Sequence, residues 1–155
     1  MNILHRPKEN QVRIIDRMLF IIANLVNLLM IGIFLSRPAG LQRLELILGI
    51  ILLVLALPTL YCVMRNAALK RGTWYWLLPL LLVVFLIVEL LLEYIFLPGF
   101  RQTRWLGPYL GLYYLSLMGM IGYNFLTGKK EGFITLVTYF LNQIATFYSY
   151  FSVGH

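Results

Sequence analysis

The chain has 155 residues, 61% of them hydrophobic and only 12% charged, with a mean hydropathy of +0.82. That balance excludes an ordinary soluble domain and calls for a bilayer as solvent. A formal charge of +7 would suit nucleic acid, but the 13 lysines and arginines fall in short clusters between apolar runs, as topology determinants do, so nucleic acid is excluded as a partner.

Five apolar runs follow one another: 18–35, 44–64, 74–97, 105–126 and 133–153. Each is close to the ~20 residues an α-helix needs to cross hydrocarbon. Backbone groups in lipid must be satisfied internally, and the alternating pattern of barrel strands is absent. The predicted fold is all-α: a polytopic integral membrane bundle of five transmembrane helices, one domain over 18–153, behind a basic N-terminal segment 1–17. The lipid bilayer is its first partner, and a bacterial or archaeal cytoplasmic membrane its expected location.

The first run follows the basic stretch "HRPKENQVRIIDR" and could pass for a signal peptide. It is longer than the usual apolar region of one, carries Asn24 and Asn27, and leads into Ser36-Arg37-Pro38 without a small-x-small cleavage site, so it reads as a retained helix. The second run holds Pro58 and Cys62. As the only cysteine, Cys62 leaves no intrachain disulfide, CxxC redox pair or thiolate metal cluster. The third run holds Pro79, and both prolines are expected to bend their helices. It opens on Trp74, Tyr75 and Trp76, while Tyr94, Phe100, Trp105 and Tyr109 gather at its far end, as interfacial anchors do.

In the fourth run Gly107, Gly111, Gly119 and Gly122 share about a third of the helical circumference, which predicts close packing within the bundle. In the fifth, Thr135, Thr138, Asn142, Thr146 and Ser149 recur at steps of three or four, with Phe133, Phe140, Ile144, Phe147 and Phe151 roughly opposite. That is the pattern of a spanning helix whose polar stripe meets partner helices. An interfacial helix would carry Lys or Arg on its polar face, and this run has no charge.

Orientation follows from the cations. The N-terminal segment (Arg6, Lys8, Arg13, Arg17), the second loop (Arg65, Lys70, Arg71) and the fourth (Lys129, Lys130) outweigh the first loop (Arg37, Arg43) and the third (Arg101, Arg104). The N-terminus is therefore expected inside and the C-terminus outside. Connections of a few residues make sequential helices antiparallel neighbours.

Glu89 and Glu93 are the residues this composition explains least. At ~1.5 Å per residue, Glu89 lies roughly 5 Å from the bilayer centre, and Glu93 sits one turn nearer the outer surface on almost the same face. Glu93 can reach Arg101 or Arg104, whereas Glu89 is too deep for that. Asn24, Asn27, Tyr113, Tyr114, Ser116, Asn142 and Gln143 fall within about two turns of its depth, so a polar layer across the bundle can be drawn. In one reading Glu89 is protonated and serves as interhelical glue. In the other, Glu89 and Glu93 form a carboxylate column that binds a cation, a proton or a positively charged ligand.

Enzymes fare worse for want of parts. The only histidines, His5 and His155, lie in the terminal tails, so haem ligation, a zinc site and a histidine-activated nucleophile are all missing. No phosphate-binding loop or dinucleotide fingerprint occurs, and no cofactor or metal is expected. The chain resembles no characterised family. Small four-helix multidrug exporters carry their membrane glutamate in the first helix, where this chain has Asn24 and Asn27.

The expected function is binding or transport of a small cation or amphipathic ligand at a site centred on Glu89, with Glu93, Asn24, Asn27, Tyr113, Tyr114 and Asn142 as candidate ligand-binding residues. A non-catalytic accessory or scaffold subunit is the alternative, and a lipid-active enzyme the second. Five spans are few for a monomeric carrier, so transport implies a homo-oligomer or a larger membrane complex.

Overall fold

Six α-helices and one π-helical segment account for almost all of residues 6–96 and 104–153, which are the residues described by the computed structural model. His5, Leu97, Phe100, Arg101 and His155 lie outside them, as do the side chains of Arg6, Tyr94 and Val153. The described chain is all-helical.

Helix α1 (Arg6–Ser36) starts well ahead of the first apolar run. The charged stretch before Met18 also holds Val12 and Ile15 at helical spacing, and Ile15 is buried with Leu19 and Val26, so one apolar stripe continues through the basic segment. The second run breaks in two, α2 (Gln42–Val54) and α3 (Ala56–Ala68), at Leu55. Pro58 is the cause: it has no N–H for the carbonyl of Val54, and its ring crowds that carbonyl. The Leu55 carbonyl, next in line, accepts both the Thr59 amide at 3.2 Å and the Thr59 hydroxyl at 2.6 Å.

Pro79 acts differently. Helix α4 (Thr73–Glu89) runs unbroken through it. The carbonyl that Pro79 deprives of a donor is that of Tyr75, four residues back, and it accepts the Asn66 side chain of α3 at 2.8 Å. A neighbouring helix thus supplies the bond that proline removed. Beyond Glu89 the chain widens into the π-helical segment Leu90–Phe96. Helices α5 (Leu106–Thr127) and α6 (Lys129–Val153) complete the fold, with Gly128 alone between them.

The helices form a closed ring. Helix α1 packs on α2 and α3, α3 on α4, α4 on α5, α5 on α6, and α6 returns to α1, which also touches α5. With α2 and α3 taken as one rod, sequential neighbours run antiparallel, so α1 and α6 are parallel. Four-residue-spaced glycines do not all serve this packing. Gly119 lies under the Leu78 backbone, where an added Cβ would stand 3.3 Å from the carbonyl oxygen, whereas Gly107 and Gly111 face open space.

Three stretches are long and apolar enough to cross a membrane by length and composition: Lys8–Ser36, Gln42–Ala68, which takes in the break at Leu55, and Thr73–Glu93. The outer surface suits that solvent. Leu57 is 70% exposed and Phe151 77% exposed, while Leu19, Leu82, Phe85, Met120 and Tyr123 are sealed inside. Helix α6 turns Thr135, Asn142 and Ser149 inward and Phe133, Phe140, Ile144 and Phe147 outward.

Candidate functional site

Polar side chains inside the ring gather at three levels. The first is at the end where α1 begins. Asp16 meets Arg71 in a two-pronged contact, Nη1 to Oδ1 at 2.6 Å and Nη2 to Oδ2 at 3.3 Å. The Tyr123 hydroxyl donates to the same Oδ1 at 2.6 Å, and Arg71 also donates to Asn66 Oδ1 at 2.9 Å. The guanidinium sits 3.9 Å from the Tyr75 ring centre, a cation–π stack on its remaining face.

The chain is bent to deliver Arg71 there. Helix α3 ends with Lys70 in the left-handed region, φ 52°, while the amides of Lys70 and Arg71 bond back to the carbonyls of Ala67 and Asn66. This paired closure of a helix C-terminus normally uses glycine, and a lysine there costs about 1 kcal/mol. Burial alone would pull the Arg71 guanidinium down. Hydrogen bonding to Asp16, with Tyr123 and Tyr75 nearby, outweighs it, and the group is held above its ordinary value. Every partner in the knot is charged or polar and already engaged, so its chemistry is structural: it ties α1, α3, α4 and α5 together.

The second level is a carboxamide and hydroxyl layer between α1, α5 and α6. Asn27 donates to the Thr138 hydroxyl at 3.0 Å, which donates in turn to Asn24 Oδ1 at 2.8 Å. Thr135 accepts from Asn24 at 3.2 Å and Asn124 at 2.8 Å and donates to the Glu131 carbonyl at 3.0 Å. Asn142 reaches the Tyr113 hydroxyl at 2.9 Å and Asn27 Oδ1 at 3.4 Å. The parallel α1 and α6 are stitched at successive turns.

The third level lies where α1 ends. Arg37 donates through Nε to Glu45 Oε1 at 2.7 Å and rests over the Phe34 ring at 5.1 Å. These two line a cavity of about 20 Å³ with Glu89, Glu93 and the small or apolar Gly49, Ile33 and Leu52. That is room for about one water molecule. Glu89 is buried and Glu93 half-buried. They sit on either side of the change from α to π winding, whose wider turn brings residues four to five apart onto one face. Such π segments recur at functional sites. Among the described residues no group of three or more His, Cys, Asp or Glu side chains is arranged to hold a metal ion.

The residues singled out from sequence therefore divide. Asn24, Asn27, Tyr113 and Asn142 share the middle layer, and Tyr114 packs edge-on against Tyr113 with ring centres 5.1 Å apart. Glu89 and Glu93 face α2 and the end of α1 instead. Ile33, which lines their cavity, is roughly 120° around α1 from Asn27 at 100° per residue. Arg104 is exposed.

Sequence reasoning missed Arg37 and Glu45 as members of the acidic site. A signal was present: in antiparallel helices the first loop and the end of the third run share one end of the bundle, so loop charges there meet Glu93. It also missed the Asp16–Arg71 pair, for which the only hint was an aspartate and an arginine at the same end of facing helices. No known protein family matches the chain, and no curated relative or solved structure matches it.

Proposed function

We propose that the chain is an integral membrane protein of five spans, N-terminus inside and C-terminus outside, whose Glu89 site binds a proton or one small monovalent cation. The observation that carries this reading is that Glu89 and Glu93, on either side of the change to π winding, line one small cavity together with the Arg37–Glu45 pair. Ionisable groups at such depth are costly and mark ion or proton sites. Room for about one water molecule favours a small ion over an amphipathic ligand.

The orientation rests on nine lysines and arginines to four across alternate connections, and it places the acidic cavity towards the outer surface. Helices α5 and α6 are read as spans because each is long and sealed into the ring by α1 and α4. Carriage of the ion through the bilayer would need a homo-oligomer or larger complex, since a five-helix ring leaves little room for alternating access. The assigned membrane is a bacterial or archaeal cytoplasmic one.

The test is an infrared difference spectrum of the lipid-reconstituted chain, taken on exchanging sodium for bulky N-methylglucamine and on stepping the pH. Carboxyl bands that respond in the wild type and disappear in Glu89→Gln and Glu93→Gln support the site. Bands that stay fixed under both changes would overturn it. A second reading, a non-catalytic accessory subunit, is favoured by the middle layer: several of its amides and hydroxyls bond from one helix to another, as packing glue would.

A further inference from the structure

Where α1 and α6 both begin, the two parallel helices border an open cavity of about 910 Å³, on the N-terminal side of the bonds between Asn24, Thr135 and Thr138. Its volume is that of a site for a sizeable ligand. Four cations line it: Lys8, Arg13 and Arg17 from α1 and Lys130 from α6. Nearer the Asn24 bonds the lining turns apolar, with Phe20, Ile21 and Ile134.

Three acids also reach this space, and one is spoken for. Asp16 is held by Arg71 and Tyr123, and the Glu131 carboxylate folds back over Gly128 at the start of its own helix. Four cations thus face the cavity against Glu9 and Glu131. Topology alone explains basic residues beside a span, but not their placement around a concave space with an apolar floor.

We infer that this cavity holds the headgroup of an anionic phospholipid from the leaflet on that side. The phosphate sits among Lys8, Arg13, Arg17 and Lys130, and the upper part of an acyl chain lies along Phe20, Ile21 and Ile134. The inference rests on the membrane-spanning reading and is independent of Glu89. A soluble anion would use the cations and leave the apolar floor wet. A lipid uses both, and the change from charged to apolar lining falls where the first apolar run begins, at Met18. Basic pockets between helices at the inner face are the expected form of such sites.

The full chain would be placed in phosphatidylcholine nanodiscs containing a minor fraction of phosphatidylglycerol, and the lipid retained on release counted by native mass spectrometry. Phosphatidylglycerol should be retained well beyond its share. Arg17→Gln with Lys130→Gln should cut that retention about tenfold, while Lys70→Gln with Lys129→Gln, equal in charge but outside the cavity, should leave it. Retention at the bulk ratio, or equal loss in both double variants, would overturn the site. Displacement by millimolar inorganic phosphate would also overturn it, reassigning the cavity to a soluble anion. A chain that does not enter the nanodisc at all would instead sink the membrane-spanning reading.

Discussion

At one end of the bundle a single carboxylate, Asp16, meets a single guanidinium, Arg71, with a phenol and a carboxamide to complete the set. At the other, Glu89 and Glu93 share a small cavity with the Arg37–Glu45 pair. The functional groups are the same and their surroundings differ: one set is closed by hydrogen bonds among its members, the other borders a small open space. Matched and hydrogen-bonded charges hold helices together, and their loss strands a partner in a poor solvent. Carboxylates grouped at depth around a small space are placed to exchange a proton or to meet a small ion. Buried charge by itself does not separate structure from function; the space left beside it does.

The largest effect should come from breaking the matched end. Asp16→Ala leaves Arg71 partly buried without its counterion, with only 13% of its side chain exposed, and should cost about 3 kcal/mol in a detergent unfolding titration. A loss under about 1 kcal/mol would erase the contrast between the two ends. Next comes Asn66→Ala, which should cost about 2 kcal/mol because Arg71, Tyr123 and the Tyr75 carbonyl all lose a partner. In a Pro79→Ala background its cost should fall by about 1 kcal/mol, since an alanine in place of the proline supplies an amide to that carbonyl. Additive effects in this cycle would mean the Asn66 bond is not a substitute for the missing one.

Smaller still is Asn142→Ala in the middle layer, at about 0.6 kcal/mol, the usual worth of a hydrogen bond between membrane helices. The smallest change in stability is expected at the end with the small cavity. Glu89→Gln, which keeps the size of the side chain and its capacity for hydrogen bonds, should move the unfolding midpoint by less than about 0.5 kcal/mol, yet abolish the sodium-dependent infrared bands. If Glu89→Gln destabilises the bundle as much as Asp16→Ala, the carboxylate is glue and the accessory-subunit reading takes over.

Helices were legible because hydropathy marks them, and their ends moved where other forces acted. The first apolar run became a longer α1 because Ile15 extends the buried stripe through charged sequence. Pro58 split the second run, while Pro79 left the third whole because Asn66 stood opposite. The inward stripe of α6 was readable from spacing. Helix rotation was not: depth placed Glu89 level with Asn24, Asn27 and Asn142, but which face of α4 meets which neighbour depends on packing, and that face turned to α2. Arg37 and Glu45 stayed hidden because loop charges look alike until the loop is folded.

The bond from Asn66 to the Tyr75 carbonyl also bears on how the chain assembles. A helix carrying a proline inserts with one acceptor that no residue of its own can serve. Sliding α3 past α4 by a single turn, about 5.4 Å, would bring a different residue opposite and leave that acceptor empty, so Pro79 works as an alignment mark. It penalises every register of the α3–α4 hairpin but one, and that register is the one that carries Arg71 to Asp16.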